Sequence, residues 1–169
     1  MLRVWHAFRG LRGPPGRLPS RMTAIHRILV PTDFSDCSRA ALDLACDLAP
    51  ALGARITLVH AMTPQAYPVP AVDGAILPDP ATAAEKVATD THELHEELSR
   101  ARAKVPDADS VIIEGDPFPA IEQAARETGA DLIVIGTHGR RGVRHAILGS
   151  VAEKLVQRGP CPVLTVRAK

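Results

Sequence analysis

At 169 residues the chain is long enough for one domain and short for two. Hydrophobic residues make up 46% and charged residues 23%, which excludes a disordered chain, and no apolar run reaches bilayer-spanning length, which excludes a membrane partner. The net charge of +1 hides an asymmetry: five of the twenty basic residues fall in 1–21 with no acid, so the remainder carries fifteen against nineteen acids, a balance that argues against nucleic acid as a partner.

The chain opens with residues 1–22, rich in Arg, Gly and Pro, with Gly13-Pro14-Pro15-Gly16 in the middle. The stretch shows no stable period and no continuous apolar core of a secretory signal, and Gly-Pro-Pro-Gly would break an amphipathic transit helix. It reads as a disordered extension or a mis-assigned start, Met22 standing just before the first strand; the folded domain is expected over 23–169. His26–Pro31 is a short β-branched run that predicts a buried strand. Ser35 then has the character of a helix N-cap, and Ala40, Ala41, Leu44, Ala45, Leu48 and Leu52 recur at helical spacing up to Gly53. Arg55–Ala61 is a second strand. Five prolines between residues 62 and 81 exclude a regular helix or central strand there.

From Ala83 to about Lys104 the period is helical, with Glu85, Lys86, Glu93, Glu96, Glu97 and Arg100 read as a solvated face. His92 and His95 sit three apart on it and, among those acids, read as part of the same solvated face rather than as metal ligands. Ser110–Glu114, Asp131–Ile135 and Pro162–Val166 are further strands, and Pro119–Thr128 and Ser150–Arg158 further helices. Strands alternating with helices imply an α/β fold: a doubly wound, five-stranded parallel sheet of order 3-2-1-4-5 with helices on both faces. The chain reverses between strands one and four, and ligands in such folds lie at the carboxyl ends of the strands flanking the reversal. Those ends are Pro31-Thr32-Asp33 and Gly136-Thr137-His138-Gly139. Cys37, Cys46 and Cys161 have no C-x-x-C spacing and read as thiols in a reducing cytoplasm.

Two glycines directly after a buried strand let the backbone turn sharply and approach a ligand. Gly149-Ser150, further on, begins a helix whose free N–H groups and positive dipole end favour an anion. Either half alone suits an ordinary loop and N-cap; both together at the switch point suit a phosphate. No Lys precedes Ser150, so this is no Walker A loop, and strand one lacks the G-x-G-x-x-G of a dinucleotide fold. Arg140, Arg141 and Arg144 between the halves have two level readings, as phosphate contacts or as a solvated loop. His138 has no sequence-local carboxylate to orient it as a base and is expected to pack or hydrogen-bond within its turn.

Ile28-Leu29-Val30-Pro31-Thr32-Asp33-Phe34-Ser35 resembles the opening strand of the universal stress protein family, and Gly136-x2-Gly139-x9-Gly149-Ser150 is similar to the G-x2-G-x9-G-[ST] signature of its ATP-binding branch. The likeness runs from about residue 25 to residue 167. It implies an adenine nucleotide alpha hydrolase-like fold and an ATP site, with Mg as a possible companion. Asp33, with Pro31 and Thr32, would meet the adenosine end and Ala61 would line the adenine slot. Ile135 and Gly136 would floor the site, Gly139 would admit the phosphates, and Gly149, Ser150 and Val151 would hold the triphosphate. The function implied is an ATP-binding, nucleotide-dependent regulatory module of the stress response with little or no turnover, since no P-loop Lys or nucleophile–base pair is evident. A slow ATP hydrolase or autophosphorylating protein, or an interaction module without nucleotide, are the alternatives. The apolar last strand at a sheet edge, with the family's habit of pairing there, implies a homodimer.

Overall fold

The computed structural model describes residues 3–5, 24–63, 68–70, 76–78, 80–139 and 148–168. In chain order its elements are β1 (Arg3–Trp5), β2 (Arg27–Thr32), α1 (Asp36–Leu52), β3 (Arg55–Met62), β4 (Pro68–Pro70), β5 (Ile76–Pro78), α2 (Pro80–Arg102), β6 (Asp109–Glu114), α3 (Pro117–Thr128), β7 (Leu132–Gly136), α4 (Ser150–Arg158) and β8 (Val163–Val166). The main sheet runs β1-β6-β3-β2-β7-β8, all parallel. Its five strands from β6 to β8 stand in the expected 3-2-1-4-5 order. The sixth, β1, pairs with β6 through Arg3↔Val111 to Trp5↔Ile113. Edge pairing uses backbone groups alone, so no side-chain period announces it. Among the described residues the proline-rich stretch contributes a small antiparallel pair, β4 with β5, as a separate two-stranded sheet.

Alternate side chains of each strand feed two cores. Ile28, Val30, Ile56, Leu58, Ile112 and Val134 pack beneath α1 and α2, against Ala41, Leu42, Ala45, Leu94 and Leu98. Leu29, Val59, Ile113, Ile133 and Ile135 pack beneath α3 and α4, against Ala120, Ile121, Ala124 and Leu155. Small alanines on α1 and α3 let both helices lie close to the sheet. Ser35 caps α1 by accepting from the Ser38 N–H, and Gly53 ends it at φ 64°, where a Cβ would be strained.

The placement of the site follows from how β2 meets its neighbours. With β3 it stays in register from Arg27↔Arg55 to Thr32↔His60, but with β7 it pairs only through Ile28↔Leu132 and Leu29↔Ile133. At the opposite end Asp131 clamps the two strands, one carboxylate oxygen accepting from the His26 and Arg27 N–H groups at 2.9 and 3.0 Å. Pro31 has no N–H to extend the ladder. The strands therefore part toward their carboxyl ends, which is the crevice a doubly wound sheet provides for a ligand.

Candidate functional site

One wall of the crevice is the turn that follows β2. Asp33 folds back on it: its Oδ1 accepts from the Ser35 hydroxyl at 2.6 Å and the Ser35 N–H at 3.2 Å. Phe34 takes φ 63°, the one non-glycine residue with positive φ among the described residues. A bulky side chain in the left-handed region holds only where its surroundings impose it.

The other wall is the turn after β7. Asp33 reaches it: a Cβ on Gly139 would lie 2.5 Å from Asp33 Oδ2. The Ser35 hydroxyl also stands 3.5 Å from the His138 carbonyl. The two motifs, a hundred residues apart, thus meet across the switch point. His138 Nδ1 lies 3.0 Å from the Thr137 hydroxyl, so it does hydrogen-bond within its turn.

Gly149 joins α4 to the same turn, its N–H donating to the Thr137 carbonyl at 2.6 Å; a Cβ there would come within 2.9 Å of that oxygen. As the N-cap residue it brings no side chain to the first turn of α4, which therefore has no side-chain cap. Ser150 is exposed at the start of that helix and Val151 half-buried behind it. Glu153, the acid of the first turn, turns aside to Gln157 Nε2 at 3.2 Å.

Several candidates also make contacts within the protein. The space a Gly136 side chain would fill is taken by the first turn of α1, with the Cys37 carbon and oxygen 2.7 and 2.8 Å from a built Cβ. Gly136 is needed for a helix to sit on the strand, whatever a ligand requires. The Thr32 hydroxyl faces away from the crevice, into the core under α1 and α2, where it donates to Glu97 Oε2 at 2.7 Å and accepts from the Phe34 N–H at 3.0 Å. Ile135 belongs to the apolar core under α3 and α4, and Ala61, half-buried, packs against it. Arg140, Arg141 and Arg144 lie outside the described residues.

Glu97 corrects the reading of α2. It is not on the solvated face but 3% exposed, and so is Asp90 at 2%. Asp90 Oδ2 takes Lys86 Nζ at 2.6 Å and stands 3.4 Å from His60 Nε2. His60 Nδ1 contacts the Thr32 carbonyl at 2.9 Å, and its ring lies 4.5 Å from that of Phe34. Burial holds the Glu97 carboxyl above its ordinary range, outweighing the Thr32 hydrogen bond and the Arg39 guanidinium 3.6 Å away, which both act the other way. Asp90, Leu94, Glu97, Leu98 and Ala101 form a single buried stripe at helical spacing, and that spacing was the available signal. His92 and His95 are exposed, His92 beside Glu96 at 3.4 Å.

Cys46 and Cys161 are buried, with thiol values raised mainly by desolvation, Cys161 to about 11; all three cysteines are free. A cavity of about 250 Å³ between α1 and α2, lined by Leu42, Cys46, Arg100 and Lys104 among others, shares no residue with the crevice. Among the described residues no helix is long and apolar enough to cross a membrane, and no group of three His, Cys, Asp or Glu could hold a metal ion.

The sequence pattern of the Universal stress protein family matches residues 24–167, nearly the whole folded part. The chain belongs to that family. The universal stress protein in QAH/OAS sulfhydrylase 3'region of Thermus aquaticus is 39% identical over 145 residues, covering 83% of this chain and 97% of its own. Among solved structures, universal stress protein UspA from Lactobacillus plantarum superposes with a TM-score of 0.71 at 26% identity, covering 86% of this chain and 99% of that one. A universal stress protein in complex with cAMP gives 0.66 at 28% identity, covering 87% and 100%. The extension before residue 24 falls outside the family match.

Proposed function

We propose that this universal stress protein holds an adenine nucleotide, ATP, in the crevice between β2 and β7, as a regulatory module with little or no turnover. The observation that carries the reading is the contact of Asp33 with Gly139, which joins the strand-one turn to the glycine turn beneath α4. Asp33 would accept from the amino or hydroxyl groups of the adenosine end, where Pro31 and Thr32 supply backbone, with Ala61 and Ile135 as apolar lining. The uncapped first turn of α4, with Gly149, Ser150 and Val151, would receive phosphate oxygens. Gly139 has no Cβ to bar the approach, and Arg140 and Arg141 follow it in sequence. The 28% identical relative solved with cAMP supports an adenine nucleotide as the ligand class.

Storage rather than conversion is favoured because Gly149, not Lys, precedes Ser150. Mg bound by ATP would neutralise phosphate charge there. β8 has β7 as its sheet neighbour and an open far edge among the described residues, so a homodimer through that strand belongs to the same reading. A cytoplasmic setting suits three free thiols.

Mass analysis of nucleotide co-purifying with the protein, with and without added Mg²⁺, tests ligand and turnover together. ATP is expected intact on both arms; ADP appearing only with Mg²⁺ would make the protein a slow hydrolase. Gly139→Val and Ser150→Asp are each expected to weaken ATP retention at least tenfold. Undiminished binding by both would remove the site, and light scattering that found only monomer at micromolar protein would remove the dimer.

A further inference from the structure

The turn that presents Asp33 is held from behind by α2, and the contacts converge on Thr32. Its hydroxyl donates to Glu97 Oε2 at 2.7 Å and accepts from the Phe34 N–H at 3.0 Å; its carbonyl meets His60 Nδ1 at 2.9 Å. Phe34, next but one, is forced to φ 63° with its ring against His60. Such a backbone persists only where neighbours over-determine it, and here those neighbours are Thr32, His60 and the α2 carboxyl groups behind them.

Glu97 is poorly explained as packing. It occupies a position in the buried stripe with Leu94 and Leu98, where an apolar side chain would suit the helix and the core equally. Its Oε1 has no hydrogen-bond partner, only the Arg39 Nε at 3.6 Å. A buried carboxyl left half-satisfied costs stability, and its one short hydrogen bond goes to the nucleotide-side turn.

We infer that Glu97 is a positioning residue for the nucleotide site: through the Thr32 hydroxyl it fixes the Thr32–Phe34 backbone and thereby sets Asp33 opposite Gly139. The inference rests on the proposed nucleotide site for its functional meaning and on the apo protein for its physical content. His60, backed by Asp90 and Lys86, steadies the same peptide at its carbonyl. Helix α2 is thereby tied to the ligand turn without touching the ligand.

The test compares Glu97→Leu and Glu97→Gln in the full chain. Leu matches the neighbouring stripe and removes the 2.7 Å acceptor, leaving the Thr32 hydroxyl the Ser38 hydroxyl at 3.3 Å; Gln keeps an acceptor at the Glu97 position. Amide hydrogen exchange in the nucleotide-free protein is expected to show the Phe34 N–H at least tenfold faster in Glu97→Leu and near wild-type in Glu97→Gln, with the β3 amides unchanged in both. ATP titration by calorimetry is expected to show at least a tenfold weaker Kd for Glu97→Leu and recovery to within threefold for Glu97→Gln, while the Tm of Glu97→Leu holds or rises. Unchanged Phe34 exchange in Glu97→Leu would overturn the inference whether or not ATP binds. Should Glu97→Leu fail to fold, a Glu97→Gln variant with fast Phe34 exchange would overturn it instead. Wild-type protein that ignores ATP while showing the expected exchange pattern would retire the nucleotide reading and leave the positioning of the turn standing.

Discussion

Under α3 and α4 the sheet presents Leu29, Val59, Ile113, Ile133 and Ile135, apolar along its length; under α1 and α2 the same strands present Ile28, Val30, Ile56 and Leu58, then Thr32 and His60 at their carboxyl ends. Thr32 and His60 are as buried there as Ile135 on the other face, yet they are polar. The apolar face meets α4, whose first turn would carry phosphate, and it needs only shape. The polar face meets α2, whose Glu97 bonds Thr32 directly and whose Asp90 reaches the same turn only through His60. A site at a switch point is built from two strand ends, and here one end is placed by packing while the other is tethered by hydrogen bonds. The tethered end is the one whose backbone is strained at Phe34.

Truncation on the apolar face should produce the largest loss of stability. Ile133 is fully buried in β7, so Ile133→Ala is expected to cost about 2–5 kcal/mol in chemical unfolding, with the spread set by how far the cavity collapses. An equal loss with altered Phe34 exchange would show that the faces are not independent. Gly136→Ala comes next: its Cβ would meet Cys37 backbone at 2.7 Å, and backbone cannot swing aside, so a cost of roughly 1–3 kcal/mol is expected. A Tm equal to wild type would mean that α1 does not need the bare strand. Thr32→Val on the tethered face strips Glu97 Oε2 and the Phe34 N–H of their partner for about 1–3 kcal/mol. Unlike Ile133→Ala, it should weaken ATP binding under conditions where the fold remains intact. Equal ATP affinity in folded Thr32→Val and wild type would erase the distinction between the faces.

The sheet order was legible because short, continuous apolar runs alternate with helical periods and because Gly53 and Gly129 end helices where expected, both at positive φ. The meeting of Asp33 with Gly139 was legible as well, since the switch-point rule places two strand ends together without reference to side chains. What failed to show was the difference between the faces. Glu97 carries a charge, and its residue type argued for solvent, although its spacing from Leu94 and Ala101 placed it in the core. His60 interrupts the run Ile56-Thr57-Leu58-Val59 on a residue that alternation points inward. Gly136 was read as part of the floor of the site, and its room for α1 was not legible, because a sequence records the absence of a side chain and not the neighbour that requires it. The strand at Arg3–Trp5 has no side-chain signal to read.

The finest test of the comparison titrates the tethered face alone. Burial raises the Glu97 carboxyl above its ordinary value of 4.5, so the folded protein holds that proton more tightly than the unfolded chain does. The contribution of Glu97 to stability is therefore fully present below about pH 4.5 and withdrawn as pH rises through the raised value. Glu97→Gln cannot lose a proton and keeps an acceptor for Thr32. The Tm of Glu97→Gln minus that of wild type should therefore grow from pH 4 toward neutrality, while titrating groups that do not interact with Glu97 cancel in the difference. The Arg39 and Arg100 charges lower the Glu97 value and Asp33 raises it, but burial is the largest influence and sets the sign. A difference that stayed flat or fell with pH would place Glu97 in water in the folded state. Asp90 would then be the one buried carboxyl named on the polar face, and the strain at Phe34 would need another source.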